Sequence, residues 1–561
     1  MIIERGANGC ISIRNPGSCF QTLLSVPSFS WDRKRQVMTA PISMDALDAV
    51  AAVATLPSDL AETRKRLHEK RKVMEQMRVE ADPVPVKRPP VQVKMFDHQV
   101  RAYNMALTRF GEAGGNGFGL LFEMGCGKTL TAIAIAGAMW EKAMVSRVLI
   151  VCPASVFVSW EQDFANFAAF PYYLQTLSGE KKQRLAGVQH LQSMKGSVLL
   201  QVAVINYEAT FREGIAEALE AWDPDMIICD ESQRIKTHSA RQSKQMHRMG
   251  DKARYKLILS GTPVQNNAVD LYSQYRFMDS TIFGKNFYAF RNRYCLMGGY
   301  GQHQIVGYRN MVDLRDREYS AAMRVTKADA LDLPDQIFLD RVVRLDDASR
   351  KMYEELRKKS ILELENGEQV TAPIVLTKLL RLQQLAGGFL QADEAAKPKP
   401  VHSAKIDALR DIVDDNIKGT SEKLVVFARF LPELDAICDM LDQEGVSFSR
   451  IDGSVPIAER SEIVRSFQQD DDPQVFVAQL ATAGLGITLH RAHMAVFYSV
   501  DFNYASYQQA VARIHRIGQK DKCTYVHLIA ENTIDQRIMQ ALGDKKDVAA
   551  MVVDGWKSVL E

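Results

Sequence analysis

No apolar run in these 561 residues approaches the length that spans a bilayer, and the opening MIIERGANGC lacks the basic-then-apolar order of a secretory leader. The expectation is a cytosolic chain with no membrane partner. The eight cysteines include no C-x-x-C pair, and Cys152 and Cys229 sit inside apolar runs, so all read as reduced packing residues with no zinc site. An excess of charge of one sign is also missing. Lys and Arg total 70 against 68 Asp and Glu, so any nucleic-acid surface must be a local patch balanced elsewhere. What is present, 46% hydrophobic and 25% charged residues, is the composition of a chain that buries cores. At about 100–200 residues per domain the length predicts three or four units.

Residues 1–55 alternate short apolar stretches with turn chemistry, a small α+β module in which FQTLLSVPSFSWDRKRQVMTAP reads as a short helix and a hairpin turning at Asp32 to Arg35. Residues 56–91 read as a charged helix, capped by Ser58 and carrying Leu60, Leu67, Val73, Met74 and Met77, followed by the proline-rich linker ADPVPVKRPPV. The basic excess of that helix suits either a solvated face or phosphate contact. From 92 to 280, five apolar β-branched runs (GFGLLF, RVLIVCP, VAVINY, DMIICDE, KLILSGTP) alternate with helix-length segments, which predicts a parallel sheet covered on both faces. Residues 281–400 read as helical insertions. A second series, KLVVFARF, FSRIDGS, QVFVAQL, MAVFYSV and TYVHLIA, fills 401–540, and 541–561 reads as a helical tail. The fold class is therefore α/β, with two parallel-sheet lobes and a small N-terminal module.

The stretch FEMGCGKT ends like a phosphate-binding loop but has Phe122 where the strict pattern has its first glycine. Gly125 and Gly127 would let backbone N–H groups approach phosphate, Lys128 would bind β- and γ-phosphates, and the Thr129 hydroxyl would ligand Mg²⁺. Taken alone, the stretch also fits an ordinary strand-turn-helix. In DMIICDES, Asp230 and Glu231 fall at a strand's carboxyl end, where one would hold Mg²⁺ and the other polarise water; paired acids also decorate plain turns. In QQAVARIHRIGQ, Arg513 and Arg516 are three apart and would be neighbours on one helix face. They would either reach a γ-phosphate across a cleft or pair with surface acids.

In this order the strings resemble the motor core of helicase superfamily two, in its Swi/Snf-type ATPase branch, whose two lobes are RecA-like. FDHQ resembles the adenine-reading motif, which implies Gln99 as a base contact and Phe96 as a stacking neighbour. FEMGCGKT is similar to that branch's DEMGLGKT, which also lacks the first glycine, and the resemblance implies that Met124, Gly125, Cys126, Gly127, Lys128 and Thr129 cradle ATP. DESQRIK resembles the DEAH box with Gln233 where histidine is frequent. LSGTPVQNN and ATAGLGITLHRAHMAVFYSVDFN resemble further motifs of the branch, the second implying a nucleotide contact at Gly486. Motif matching implies DNA contacts at Ser155, Trp160, Asn206, Ala481, Thr482 and Gly484. The N-terminal module is weakly similar to the HepA-related module of annealing helicases, which implies a branched-DNA contact at Arg33, Lys34 and Arg35; Trp31 beside them equally suits a packed anchor.

The resemblance implies a DNA-dependent ATPase and translocase using ATP and Mg²⁺, monomeric, acting on double-stranded and branched DNA in repair or replication, in a bacterial or phage-infected cytosol near the nucleoid. A nucleotide-gated binding module, and a motor that clears RNA polymerase or runs on RNA, are the alternative readings.

Overall fold

The computed structural model of the chain describes residues 1–6, 10–26, 28–111, 115–194, 196–261, 263, 267–299, 301, 304–330, 333–365, 372–391, 397–485, 487–516 and 518–543. The chain divides into two compact units, residues 1–330 and 331–561. Among the described residues no helix is long and apolar enough to cross a membrane.

The first unit is built on a seven-stranded, wholly parallel sheet in the order Ala322–Val325, Gly117–Phe122, Tyr255–Leu259, Met226–Asp230, Arg147–Cys152, Leu200–Asn206, Tyr172–Thr176. The five expected strands are the five central ones. They are buried on both faces, as all-parallel sheets require. The helix Lys128–Glu141 that follows the first of them, KTLTAIAIAGAMWE, is buried at every position from Leu130 to Met139, so it is apolar all round. A methyl group on Gly137 would lie 2.2 Å from the Phe170 ring, so only glycine permits this close approach.

The N-terminal module is a four-stranded antiparallel sheet, in the order Ile2–Gly6, Cys10–Arg14, Val37–Pro41, Ser30–Asp32, with the helix Met44–Ala51 capped by the Ser43 hydroxyl. Its core is Ile11, Ile13, Leu23, Phe29, Met38, Leu47, Val50 and Leu60. Trp31 packs edge-on against Phe20 with ring centroids 5.1 Å apart, an anchor beneath the turn. Asp32 accepts from the backbone N–H groups of Lys34 (2.9 Å) and Arg35 (3.1 Å), and Arg33, Lys34 and Arg35 project into solvent.

Two expectations about residues 56–91 change. Ser58 does not cap the helix Ser58–Val79; Pro57 occupies the cap position with no side-chain bond, its fixed φ being compatible with a helix start. Nor is the charged helix simply solvated. Leu60 sits in the module's core, and at the other end the Arg78 guanidinium donates to the carbonyls of Tyr319 and Ala322. Arg317 forms an ion pair with Asp45 of the module, and the Pro-rich stretch is pinned by Asn104, which accepts from Val86 N–H and donates to the Val84 carbonyl.

The expected insertion at 281–400 is not one body. The strand Ala322–Val325 closes one edge of the first sheet, and Gln336–Val343 opens the second. That second sheet, six parallel strands, runs Gln336–Val343, Cys523–Ala530, Met494–Phe497, Leu424–Ala428, Val475–Gln479, Phe448–Ile451 over a core including Phe427, Phe476, Phe497 and Tyr525. Of the expected tail, residues 541–543 end the helix Ile534–Gly543 and 544–561 lie outside the described residues.

Leu60 tests whether the long helix is part of the module. Leu60→Ala removes a fully buried side chain and should cost about 2–5 kcal/mol, seen as an earlier urea transition of the first unit; a loss well under 1 kcal/mol would show that the helix is not docked there.

Candidate nucleotide site and nucleic-acid edge

Register decides which loops meet. Leu259 lies opposite Leu120 on one side and Asp230 on the other, Val151 opposite Cys229, and Cys152 opposite Asn206. The segments starting at Glu123, Ser260, Glu231, Pro153 and Tyr207 therefore all leave the same carboxyl edge, where parallel α/β sheets bind ligands.

Phe122 ends the first of these strands and is 0% exposed, with the His98 ring edge-on at 5.6 Å. It fills core, so the position that lacks glycine is not a phosphate-facing one. The turn proper is Glu123–Gly127, with Gly125 at φ 90° and Gly127 at φ 80°. A methyl group on Gly127 would fall 2.1 Å from Gln99 Nε2, so both backbone and space demand glycine. The Cys126 carbonyl takes two donors, His98 Nε2 at 2.9 Å and Gln99 Nε2 at 3.2 Å, while Gln99 Oε1 accepts from Phe96 N–H at 2.9 Å. Burial pushes the His98 pKa down, keeping it neutral, and the carbonyl assigns its proton to Nε2. Phe96 is 45% exposed and stacks on His98 at 5.9 Å, leaving a ring face to the solvent beside Gln99. Lys128 folds back to donate to the Phe122 carbonyl at 2.9 Å, and Thr129 is half-buried in the helix's first turn.

Asp230 is held by Trp160 Nε1 on Oδ2 (3.1 Å) and by its own neighbour's N–H, that of Glu231, on Oδ1 (2.9 Å). Burial, then the Glu231 charge, push its pKa up to about 7 against the pull of Lys128. Among the described residues no ion pair holds this carboxylate, which suits a site for a bound cation. Glu231 takes a left-handed backbone, φ 51°. The Gln233 amide donates to Glu231 Oε2 at 2.6 Å and its oxygen accepts from Ser260 Oγ at 2.8 Å, joining the acids to the end of the neighbouring strand. Ser232 donates to Gln274 (2.7 Å), which donates in turn to the Pro263 and Asp270 carbonyls. The glycine turn, Lys128, the Thr129 hydroxyl and Asp230 fit a magnesium triphosphate: N–H groups and an ammonium for the anion, a hydroxyl and a carboxylate for the metal.

Trp160 is corrected. Expected among the DNA contacts, it is 1% exposed, with its indole N–H on Asp230. Ser155 lies on the 3-10 turn Ala154–Val156 and is half-buried. Asn206 accepts from Arg184 Nη1 (2.8 Å) and donates to Glu208 (2.7 Å), which pairs with Arg234 at 3.1 Å. Arg184, His98 and Ser260 were missed from the sequence. Arg184 lies in a polar helix with no motif around it, whereas Ser260 is the serine of LSGT and was legible there.

In the second unit Ala481 is exposed, while the Thr482 hydroxyl donates to the Gln479 carbonyl at 2.6 Å and so closes its own turn. Gly484 lies in the 3-10 turn Leu480–Leu485; Gly486 lies outside the described residues. The expected shared helix face for the arginines is corrected, because the helix Tyr504–Ile514 ends before Arg516. The two guanidiniums nevertheless converge, each 3.4 Å from the Ile487 carbonyl, and Arg513 is 9% exposed.

The family described as the SNF2-related domain matches residues 84–387, and the helicase conserved C-terminal domain matches 404–518. An uncharacterized ATP-dependent helicase of Mycoplasma pneumoniae is 26% identical over 447 residues, 78% of this chain and 40% of its own length. A RAD54-like DNA repair and recombination protein of Drosophila persimilis is 25% identical over 493 residues, covering 79% of this chain and 61% of its own. The DNA repair and recombination protein RDH54 of Saccharomyces cerevisiae is 26% identical over 459 residues, 74% and 49% respectively. The chain thus spans less than two thirds of the length of these relatives. Among solved structures, the Sulfolobus solfataricus SWI2/SNF2 ATPase core in complex with dsDNA covers 85% of this chain and 97% of its own at 22% identity, with a TM-score of 0.40.

Gln233 gives this site a testable signature. Gln233→Leu strips both hydrogen bonds and frees Glu231 to reorient, and should lower kcat at least about tenfold, roughly 1.4 kcal/mol of lost transition-state stabilisation. Gln233→His accepts from Ser260 only while neutral, so its activity should fall more steeply than that of the wild type as pH drops through about 6.5, the wild type responding only through Asp230. A Gln233→Leu protein with unchanged kcat would contradict the coupling.

Proposed function

The chain belongs to the SNF2-related ATPases, helicase-like enzymes of superfamily two, and from that premise we propose that it translocates on double-stranded DNA, hydrolysing ATP to remodel forks, joints or protein–DNA complexes. The observation that carries this reading is the hydrogen-bonded run Glu231–Gln233–Ser260, which joins the hydrolytic acid to a neighbouring strand end beside an intact phosphate turn.

In this reading Gln99 and Phe96 hold the adenine, and the N–H groups of Met124 to Lys128 cradle phosphate at a helix N-terminus. Thr129 and Asp230 hold Mg²⁺, which when bound supplies neutralising charge to the phosphates. Lys128 leaves the Phe122 carbonyl for the β- and γ-phosphates. Glu231, fixed by the Gln233 amide, orients the attacking water and takes its proton. Arg513 and Arg516 supply the arginine-finger charge, an effect of about 10³–10⁵-fold in kcat.

Ser155, Asn206, Ala481, Thr482 and Gly484 serve the DNA backbone without reading sequence; at Thr482 the contact falls to the backbone, because the hydroxyl is engaged. The exposed turn Arg33–Arg35 directs the module to branched DNA.

Phe122 and Gln233 are the two departures from the family pattern that would favour a purely nucleotide-gated module. Phe122 is a core residue and Gln233 is bonded on both sides, so neither marks a dead site.

Blunt duplex should stimulate hydrolysis strongly at low salt, forked duplex at least as well, and RNA little. Lys128→Ala and Glu231→Gln should abolish turnover while duplex binding persists, and Arg513→Ala should lower kcat about 10³-fold. Absence of any stimulation by duplex, or equal stimulation by RNA, would reject the DNA-motor reading.

A further inference from the structure

Asp230 is gripped from two directions by buried aromatic residues. The Trp160 indole N–H donates to its carboxylate, and the Tyr207 hydroxyl donates to its main-chain carbonyl at 2.8 Å. Trp160 is 1% exposed and Tyr207 0%. A buried indole N–H or phenol usually finds an acceptor, and both here find the same residue. With Oδ1 taken by the Glu231 N–H and Oδ2 by the indole, rotation of the carboxylate would break a bond on either side.

The origin of the two donors matters as much as their target. Trp160 belongs to the helix Phe157–Phe167, which follows the turn Ala154–Val156 directly, so Ser155 and the indole ride on one short rigid segment. Tyr207 is one peptide bond from Asn206, whose amide is held between Arg184 and Glu208 at the sheet edge. Both turns leave the carboxyl edge that also carries Asp230.

We infer that Trp160 and Tyr207 are positioning residues for ATP hydrolysis: together they fix the Asp230 carboxylate, and they tie its placement to the turns bearing Ser155 and Asn206. The inference rests on the reading that duplex DNA lies along those turns. A phosphate drawn onto Ser155 or Asn206 shifts an aromatic donor and thereby the carboxylate, so part of the stimulation by DNA is an ordering of the metal-holding oxygens. Both aromatics are buried, and the bonds described here run to Asp230.

The test uses full-length protein and a fluorescent non-hydrolysable ATP analogue, its anisotropy followed as Mg²⁺ is titrated with and without blunt duplex. Trp160→Phe and Tyr207→Phe keep the rings and remove the donors. Trp160→Phe should raise the Mg²⁺ midpoint about tenfold, the usual scale for losing an outer-shell partner of a metal ligand. Tyr207→Phe, acting through the main chain, should raise it less, and binding without metal should be unchanged. Duplex should lower the wild-type midpoint, and lower it less in both variants at unchanged duplex affinity. Tyr103→Phe, a buried phenol elsewhere in the same unit, should leave the midpoint in place. Because both donors act on one residue, the double variant should show less than the product of the single effects. Should Trp160→Phe fail to fold, the Tyr207→Phe midpoint decides. Midpoints equal to wild type in the folded variants, with duplex still stimulating hydrolysis, overturn the positioning role alone. A wild-type midpoint indifferent to duplex overturns the link to DNA and bears on the proposed function itself.

Discussion

The site depends on the pairing of the strand Tyr255–Leu259 between Gly117–Phe122 and Met226–Asp230. Parallel strands in register must end together, so the glycine turn, the Asp230–Glu231 pair and Ser260 are delivered to one edge within hydrogen-bond reach. The bond between Gln233 and Ser260 follows directly from that placement. A slip of one residue would turn Asp230 to the opposite face of the sheet, because side chains alternate with a period of two.

Given that placement, burial decides which side chains are fixed. A polar group removed from water is usually paired, and at this edge several of the pairings run between motifs. His98 and Gln99 hold the Cys126 carbonyl, Gln233 joins Glu231 to Ser260, and Trp160 holds Asp230. The same rule gives the second unit its converging arginines, both directed at the Ile487 carbonyl, although the helix that carries Arg513 stops short of Arg516. The nucleotide turn is thus held from the helix Asp97–Phe110, and the two acids from segments that follow the neighbouring strands.

The architecture was legible where strands are central. All five runs read as strands in the first sheet are its inner strands, apolar throughout because both faces are covered. The missed strands of the two large sheets are edges. Tyr172–Thr176 is half-buried at every position, Ala322–Val325 carries an exposed Arg324, and Gln336–Val343 is exposed at all but its last residue. An edge strand faces solvent on one side and so lacks the continuous apolar run that reveals a central one. The same blindness merged two bodies into one expected insertion at 281–400. At the site, residue types and spacing marked the phosphate turn and both acids, yet a motif position does not tell which way a side chain points. Trp160 therefore looked like a DNA contact from the sequence and proved to be an internal partner of Asp230. Ser58 failed as a cap for a related reason, since Pro57 already supplies the helix start.

The backbone of Met124 to Thr129 is a preformed anion cradle that engages the triphosphate once Lys128 releases the Phe122 carbonyl. Hydrogen–deuterium exchange of the full chain, with and without Mg²⁺ and a non-hydrolysable ATP analogue, measures this at the amides concerned. Strong protection of the amides from Gly125 to Thr129 on nucleotide addition is the predicted result. Exchange there that ignores saturating nucleotide would contradict it.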